Sequence, residues 1–186
     1  MRVDWETGVR DPTRVAALQR SGLVGSPPDD AFDRLLELAM TLTGAPRGCI
    51  TLVDAENTSA LSSAGFPEDT ALSAPNQYSF CKFVVSSGNP LVVDDSRRDP
   101  RTSGDPAIDA FDAASWAGYA IEDDQGNILG TFCIMDSVPH EWSALDLHVP
   151  ATLAKAASAE IALRQARAEV DAAHWEIEAL RSAGAE

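Results

Sequence analysis

Positive charge is scarce in this 186-residue chain: 14 Lys and Arg stand against 29 Asp and Glu, for a formal net charge of −15. That balance speaks against nucleic acid as a partner, because phosphate binding depends on a cationic surface that releases counterions. It speaks equally against docking on an anionic membrane surface. The acids are scattered rather than blocked, which reads as solubility and not as an acidic tail. Long apolar runs are also missing; nothing approaches the ~20 residues that span a bilayer. The segment from Met1 to Asp11 is polar and acidic, so neither a signal peptide nor a lipidation signal is expected there. Cysteine is limited to Cys49, Cys81 and Cys133, an odd number without a CxxC spacing. Each has apolar neighbours, which reads as reduced, buried thiols and a cytoplasmic setting. None of His140, His148 and His174 has a second His or Cys at i+3 or i+4, so no metal site is expected. No nucleophile elbow, P-loop or GxGxxG is present, and no catalytic residue is assigned.

What is present is a globular composition, with 45% hydrophobic and 23% charged residues, sized for one domain plus an extra element. Lysine is rare beside arginine and alanine is abundant, a bias typical of GC-rich bacterial genomes. Asp11 as cap and Pro12 at the first helical position predict a short helix to Ser21, with Val15, Ala16 and Leu18 on one face. A stronger helix is predicted from Asp29 or Asp30 to Thr43, where Phe32, Leu35, Leu36, Ala39, Met40 and Leu42 recur at helical spacing. Cys49-Ile50-Thr51-Leu52-Val53 reads as a strand, with Thr58 to Ala64 returning as its hairpin partner. A loop runs to Tyr78, then an apolar helix from Phe80 to Ser87 capped by Ser79. Leu91 to Val93 forms a short strand, followed by a polar loop to Asp105. Trp116 to Ile121 and Ile128 to Met135 form a second hairpin around Gly126. Helices beside an antiparallel sheet make this an α+β domain.

From Ser143 onward the pattern changes. Val149, Ala156, Leu163, Val170 and Ile177 recur every seven residues. Thr152, Ala159, Ala166, Ala173 and Leu180 follow each by three. This a/d stripe predicts a coiled-coil helix that pairs with a second copy. Most d positions are Ala, so packing of its first part on the domain is expected to supply the remaining support. Val149, Leu163, Val170, Ile177 and Leu180 are the expected dimer contacts.

Several stretches occur in an order that closely resembles bacterial GAF domains over about residues 11 to 165. They are Phe32-Asp33-Arg34-Leu35, Leu52-Val53-Asp54, Ser79-Phe80-Cys81, Leu91-Val92-Val93-Asp94-Asp95, Asp99-Pro100-Arg101 and Leu129-Gly130-Thr131-Phe132-Cys133-Ile134-Met135-Asp136. The resemblance implies a six-stranded antiparallel sheet with helices on one face and a small-molecule pocket on the other, roofed by a helix and loops. It also implies dimerisation through flanking helices and output to a downstream signalling protein through the C-terminal one. On this reading residues 1–10 are a tail, 11–142 the GAF domain and 143–186 the signalling helix. Family members bind cyclic nucleotides, tetrapyrroles, haem or small metabolites, and the fold does not choose among them. The cyclic-nucleotide Asn-Lys-x-Phe-Asp-Glu signature is absent. Where the subgroup carries a large aromatic on its second strand, this chain has Thr58-Ser59-Ala60-Leu61, a change that enlarges or empties the pocket.

The cofactor, if any, is unknown on this reading. Covalent bilin is disfavoured, because Lys82 follows Cys81 where bilin-binding members have a His. Lys82 does offer Cys81 the electropositive setting that a reactive thiol needs. The expected pocket residues are Phe80, Cys81, Asp94, Arg101, Trp116, Tyr119, Cys133 and Met135. For Asp94 or Arg101 a place at the rim is weighed against a surface ion pair by which Asp99 and Arg101 brace their own loop, and the ion pair is preferred. Three functions are weighed. The first is a non-catalytic sensory domain that dimerises and signals through its last helix. The second is a structural dimerisation module with a vestigial pocket, and the third a cysteine-based redox sensor or enzyme.

Overall fold

In the computed structural model, residues 4–27 and 29–183 are described. The first three residues of the expected tail, Pro28 and the last three residues lie outside that range. Six strands form one antiparallel sheet: β1 (Arg47–Val53), β2 (Asn57–Ala64), β3 (Ser73–Pro75), β4 (Leu91–Val93), β5 (Ser115–Glu122) and β6 (Ile128–Asp136), in the order β3-β2-β1-β6-β5-β4. Helices α1 (Glu6–Val9), α2 (Pro12–Arg20), α3 (Asp30–Thr43), α4 (Cys81–Ser87), α5 (Ala107–Ala110) and α6 (Ala144–Ala183) divide between its two faces. The short strand β3 falls in a segment read from the sequence as loop, and α5 in the stretch between Asp105 and Trp116, to which no element is assigned from the sequence. The six-stranded α+β architecture is the expected one.

Strand alternation sorts the residues. Ile50, Leu52, Ala117, Ile121, Phe132 and Ile134 point to one side, where Leu18 of α2, Phe32 and Leu36 of α3, and Ala157 and Ile161 of α6 complete the larger core. Cys49, Val53, Trp116, Cys133 and Met135 point to the other, under Val84 and Val85 of α4 and Ile108 of α5. A bulge in β2 is needed to hold this division. Ile50 pairs with Ser62 but Thr51 pairs with Ala60, so Leu61 is the extra residue. The bulge lets Ser63 and Ala60, three apart, share one face, which a regular strand forbids. Gly130 allows β6 to approach β1 closely; a Cβ there would sit 1.8 Å from the Thr51 carbonyl oxygen.

The caps of α2 and α3 follow their sequence signals, whereas α4 has Phe80 and not the expected Ser79 at its cap position, because the helix starts one residue later, at Cys81. Asp11 accepts from the Arg14 backbone N–H and Asp29 from that of Ala31, and Gly44 closes α3 in the left-handed conformation. The face of α2 differs from the expected one: Arg14, Ala17 and Leu18 are buried, while Val15 and Ala16 are half-buried. Burial of Arg14 is offset by hydrogen bonds its guanidinium donates to the carbonyls of Val53, Ile128 and Val9, which tie the helix to the ends of two strands. The expected tail contains α1, whose Val9 is fully buried and packs with the α4 side of the sheet.

Helix α6 begins with a reciprocal cap: the Ser143 N–H donates to Asp146 and the Asp146 N–H donates to Ser143 Oγ. Its first half packs on α3, β5 and β6. The stripe it buries there is Val149, Pro150, Ala154, Ala157 and Ile161, of which only Val149 belongs to the heptad. Val149, expected at a dimer contact, is 8% exposed and belongs to the domain's own core. Leu163, Val170, Ile177 and Leu180 remain exposed, together with Trp175. Arg164 fastens the helix midway, with its guanidinium paired to Asp29 and Glu160 and 4.7 Å from the centre of the Phe32 ring.

Candidate functional site

The face of the sheet without α3 and α6 encloses a cavity of ≈ 60 Å³. Its floor is Cys49 and Thr51 of β1, Cys133 and Met135 of β6, and Trp116 of β5. Thr58, Ala60 and Ser63 of β2 form one wall, the first two from the stretch where a large aromatic is missing. Ser79, Phe80 and Cys81 lead into α4 above it, and Ala107 and Phe111 close the side. Ala71 and Leu72, both exposed, mark its mouth. Gly118 makes room for the Trp116 ring, since a Cβ there would lie 2.1 Å from its edge. The Phe80 ring meets Trp116 edge-on at 5.9 Å between centroids.

Three cysteines far apart in sequence meet in this cavity. Cys49 and Cys133 are directly opposite each other on β1 and β6, with their sulfurs 3.2 Å apart. Cys81, at the start of α4, receives hydrogen-bond contacts from the Thr131 hydroxyl at 3.0 Å and the Thr51 hydroxyl at 3.3 Å. Those hydroxyls are themselves 2.9 Å apart. Ser79 orients the group by accepting the Cys81 backbone N–H. Hydrogen bonding with Cys133, reinforced by burial, pushes the Cys81 thiol well above its ordinary range. Hydrogen bonding with Cys49 and burial do the same for Cys133. Both are thiols and not thiolates near neutral pH, unlike an activated nucleophile.

Lys82 interacts electrostatically with Cys81, but its main partner is Asp105 and it does not bring the Cys81 thiol into a low range. Its side chain is buried, with Nζ 2.8 Å from each carboxylate oxygen of Asp105 and donating to the Gln77 carbonyl. Burial lowers its pKa, and the Asp105 carboxylate opposes that shift. The pair ties α4 to the segment that leads into α5, and the amine lies 4.7 Å from the Phe83 ring centre.

Of the eight residues expected at the pocket, Phe80, Cys81, Trp116, Cys133 and Met135 line the cavity, whereas Asp94, Arg101 and Tyr119 do not. Tyr119 is an odd number of residues from Trp116 on β5, so it faces the α3–α6 side. Arg101 forks onto Asp99 and donates to the Val92 carbonyl at the sheet edge. That pairing raises the Arg101 pKa and lowers that of Asp99. Asp94 accepts the Trp142 N–H through its side chain and the His140 N–H through its carbonyl, a brace between β4 and the entry to α6. Cys49, Thr51 and Thr58 were missing from the expected set. The signal for Thr51 was there: it is a polar residue in an apolar strand, two places from Cys49.

A family model described as GAF domain matches residues 27–161. Among solved structures, the GAF domain of a phosphoenolpyruvate-protein phosphotransferase from Coxiella burnetii superposes with a TM-score of 0.62 at 18% identity, covering 84% of this chain and 96% of that one. Residues 122 to 287 of a methyl-accepting chemotaxis protein give 0.61 at 18% identity, covering 78% and 95%. Free methionine-R-sulfoxide reductase from Neisseria meningitidis, in complex with its substrate, gives 0.59 at 16% identity, covering 82% and 89%. At these identities the likeness is one of fold. No curated protein matches the sequence.

Proposed function

The chain belongs to the GAF domain family, and from that premise we propose that it is a non-catalytic sensory module. A small uncharged molecule occupies the cavity, and α6, paired with a second copy, carries the response to a downstream signalling protein. The carrying observation is the lining: among the described residues it includes no Asp, Glu, Lys, Arg or His side chain. A phosphate or carboxylate would be buried there without a countercharge, at a cost of several kcal/mol, so the reading disfavours cyclic nucleotides and acidic metabolites. A volume of ≈ 60 Å³ suits a small molecule and not a tetrapyrrole. Protonated thiols and the lack of a base beside them support a role in binding over turnover. Kinship of fold with a chemotaxis protein supports a sensory reading, and reduced thiols suit a cytoplasmic setting.

Thermal unfolding of the full chain with neutral small molecules and with their anionic analogues tests the cavity. A neutral binder at a hundred times its Kd adds about 2.7 kcal/mol to the native state and raises Tm. Stabilisation by the anionic analogues alone would overturn the assignment. No shift with any ligand would favour a structural dimerisation module. Turnover of free methionine sulfoxide would replace the sensory reading with an enzymatic one.

Pairing rests on the exposed stripe of Leu163, Val170, Ile177 and Leu180 on the half of α6 that leaves the domain. Val170→Asp places a charge in that stripe and should shift sedimentation from dimer to monomer. An unchanged dimer would remove the helix from the interface.

A further inference from the structure

The cavity floor holds a feature that ligand binding leaves unused. Cys49 and Cys133 are cross-strand neighbours in register, and directly opposed residues of an antiparallel pair have Cα atoms about 4.5–5.5 Å apart, within the range that a disulfide bridges. Their sulfurs are already 3.2 Å apart, and both face the cavity. Cys49 is the most exposed of the three cysteines, at 8% against 3% for Cys81 and 0% for Cys133. Cys81 also lies within hydrogen-bonding reach of Cys133, but it comes from α4 and not from the cross-strand register, and the hydroxyls of Thr51 and Thr131 hold it.

We propose that Cys49 and Cys133 are a reversible oxidation site, closed to a disulfide across β1 and β6 by a small neutral hydroperoxide that enters the cavity. Cys49 sulfur attacks the distal peroxide oxygen and the O–O bond breaks. The alcohol leaves with the thiol proton, and Cys49 becomes a sulfenic acid. Cys133 sulfur then attacks Cys49 sulfur. The S–O bond breaks and the hydroxyl departs as water with the Cys133 proton. In total two thiols lose two electrons and two protons, and one peroxide is reduced to an alcohol and water. The elevated pKa of Cys133 makes closure faster at alkaline pH, because the attacking species is the thiolate. A closed bridge reshapes the floor of the same cavity, so oxidation and occupancy become coupled. The chemistry itself does not depend on the ligand assignment.

The test is peroxide treatment of the native full chain, followed by alkylation and peptide mapping by mass spectrometry without reduction. Of three free thiols, two should be lost and one retained, with a peptide linkage between Cys49 and Cys133 that a thiol reductant reverses. Cys81→Ser should keep the linkage, and Cys49→Ser should abolish it. Three alkylatable thiols after treatment would overturn the proposal. So would a linkage to Cys81, a linkage between chains, or one that forms only in denaturant. The wild-type map needs no variant, so misfolding of a substitution cannot mask the result.

Discussion

The two faces of the sheet are built from the same six strands and differ in what they cover. On the α3–α6 face, Phe32, Leu36, Phe132, Ile134 and Ile161 are essentially unexposed and interlock as one apolar core. On the α4 face, adjacent positions of those strands carry thiols, hydroxyls and a tryptophan around a cavity. One residue step along β6 moves from one regime to the other. The first face holds the domain together, and the second is left open enough to receive something.

Breaking that contrast calls first for Phe132→Ala against its neighbour Cys133→Ala. The phenylalanine should cost about 3–5 kcal/mol, by lost transfer energy and a new cavity. The cysteine should cost about 1 kcal/mol, since it removes one sulfur beside space already empty. Urea denaturation at constant m-value measures both, and equal costs would erase the division. Next is Lys82→Met, which leaves the Asp105 carboxylate, itself only 13% exposed, without its cation. Loss of one partner of a buried pair costs about 3 kcal/mol, so the α4 face has one strong tether. A loss within experimental error would show that water replaces the amine there. The smallest effect is on the helix face. A hydrogen bond from Arg164, helped by the Ala31 N–H, holds Asp29 at about 2, below its ordinary value of 3.8. A depressed folded-state pKa adds stability above the unfolded value and loses it as pH falls from about 4 to about 2. Because both groups are partly solvated, the amount is at most about 1 kcal/mol. Arg164→Met should flatten that part of the acid limb in pH-dependent denaturation, and an unchanged limb would remove the pair from the balance.

Much of the fold was legible because it is written in local signals: Asp11 and Asp29 caps, the Gly44 stop, the alternation of Phe132 and Ile134 against Cys133 and Met135. The site was less so. Tyr119 was expected at the pocket although its parity with Trp116 already placed it on the other face. Asp94 and Arg101 were candidates for a rim, and the preferred alternative, an acidic and basic loop that satisfies itself through Asp99 and Arg101, is the arrangement found. The meeting of Cys49, Cys81 and Cys133 depends on the β1–β6 register and on where α4 lands. No spacing within the sequence encodes either. The heptad of α6 is present, yet the half of the helix that meets the domain shares only Val149 with it, and its other buried residues lie one or two positions away. Contact with a sheet and a neighbouring helix follows the 3.6-residue turn, not the 3.5-residue repeat of a supercoil.

From Ala166 to Arg181 every residue of α6 is exposed, a length of about 24 Å at ~1.5 Å per residue. On the proposed signalling reading, the anchored half, clamped at Arg164, would let the free half act as a lever with its fulcrum at the edge of the domain. A tilt of about 5° at that fulcrum displaces the far end by about 2 Å, roughly the scale of helix shifts that repack subunit interfaces. Mechanical gain is therefore set by how far the rod projects, and shortening it by two turns would cut its throw by almost half.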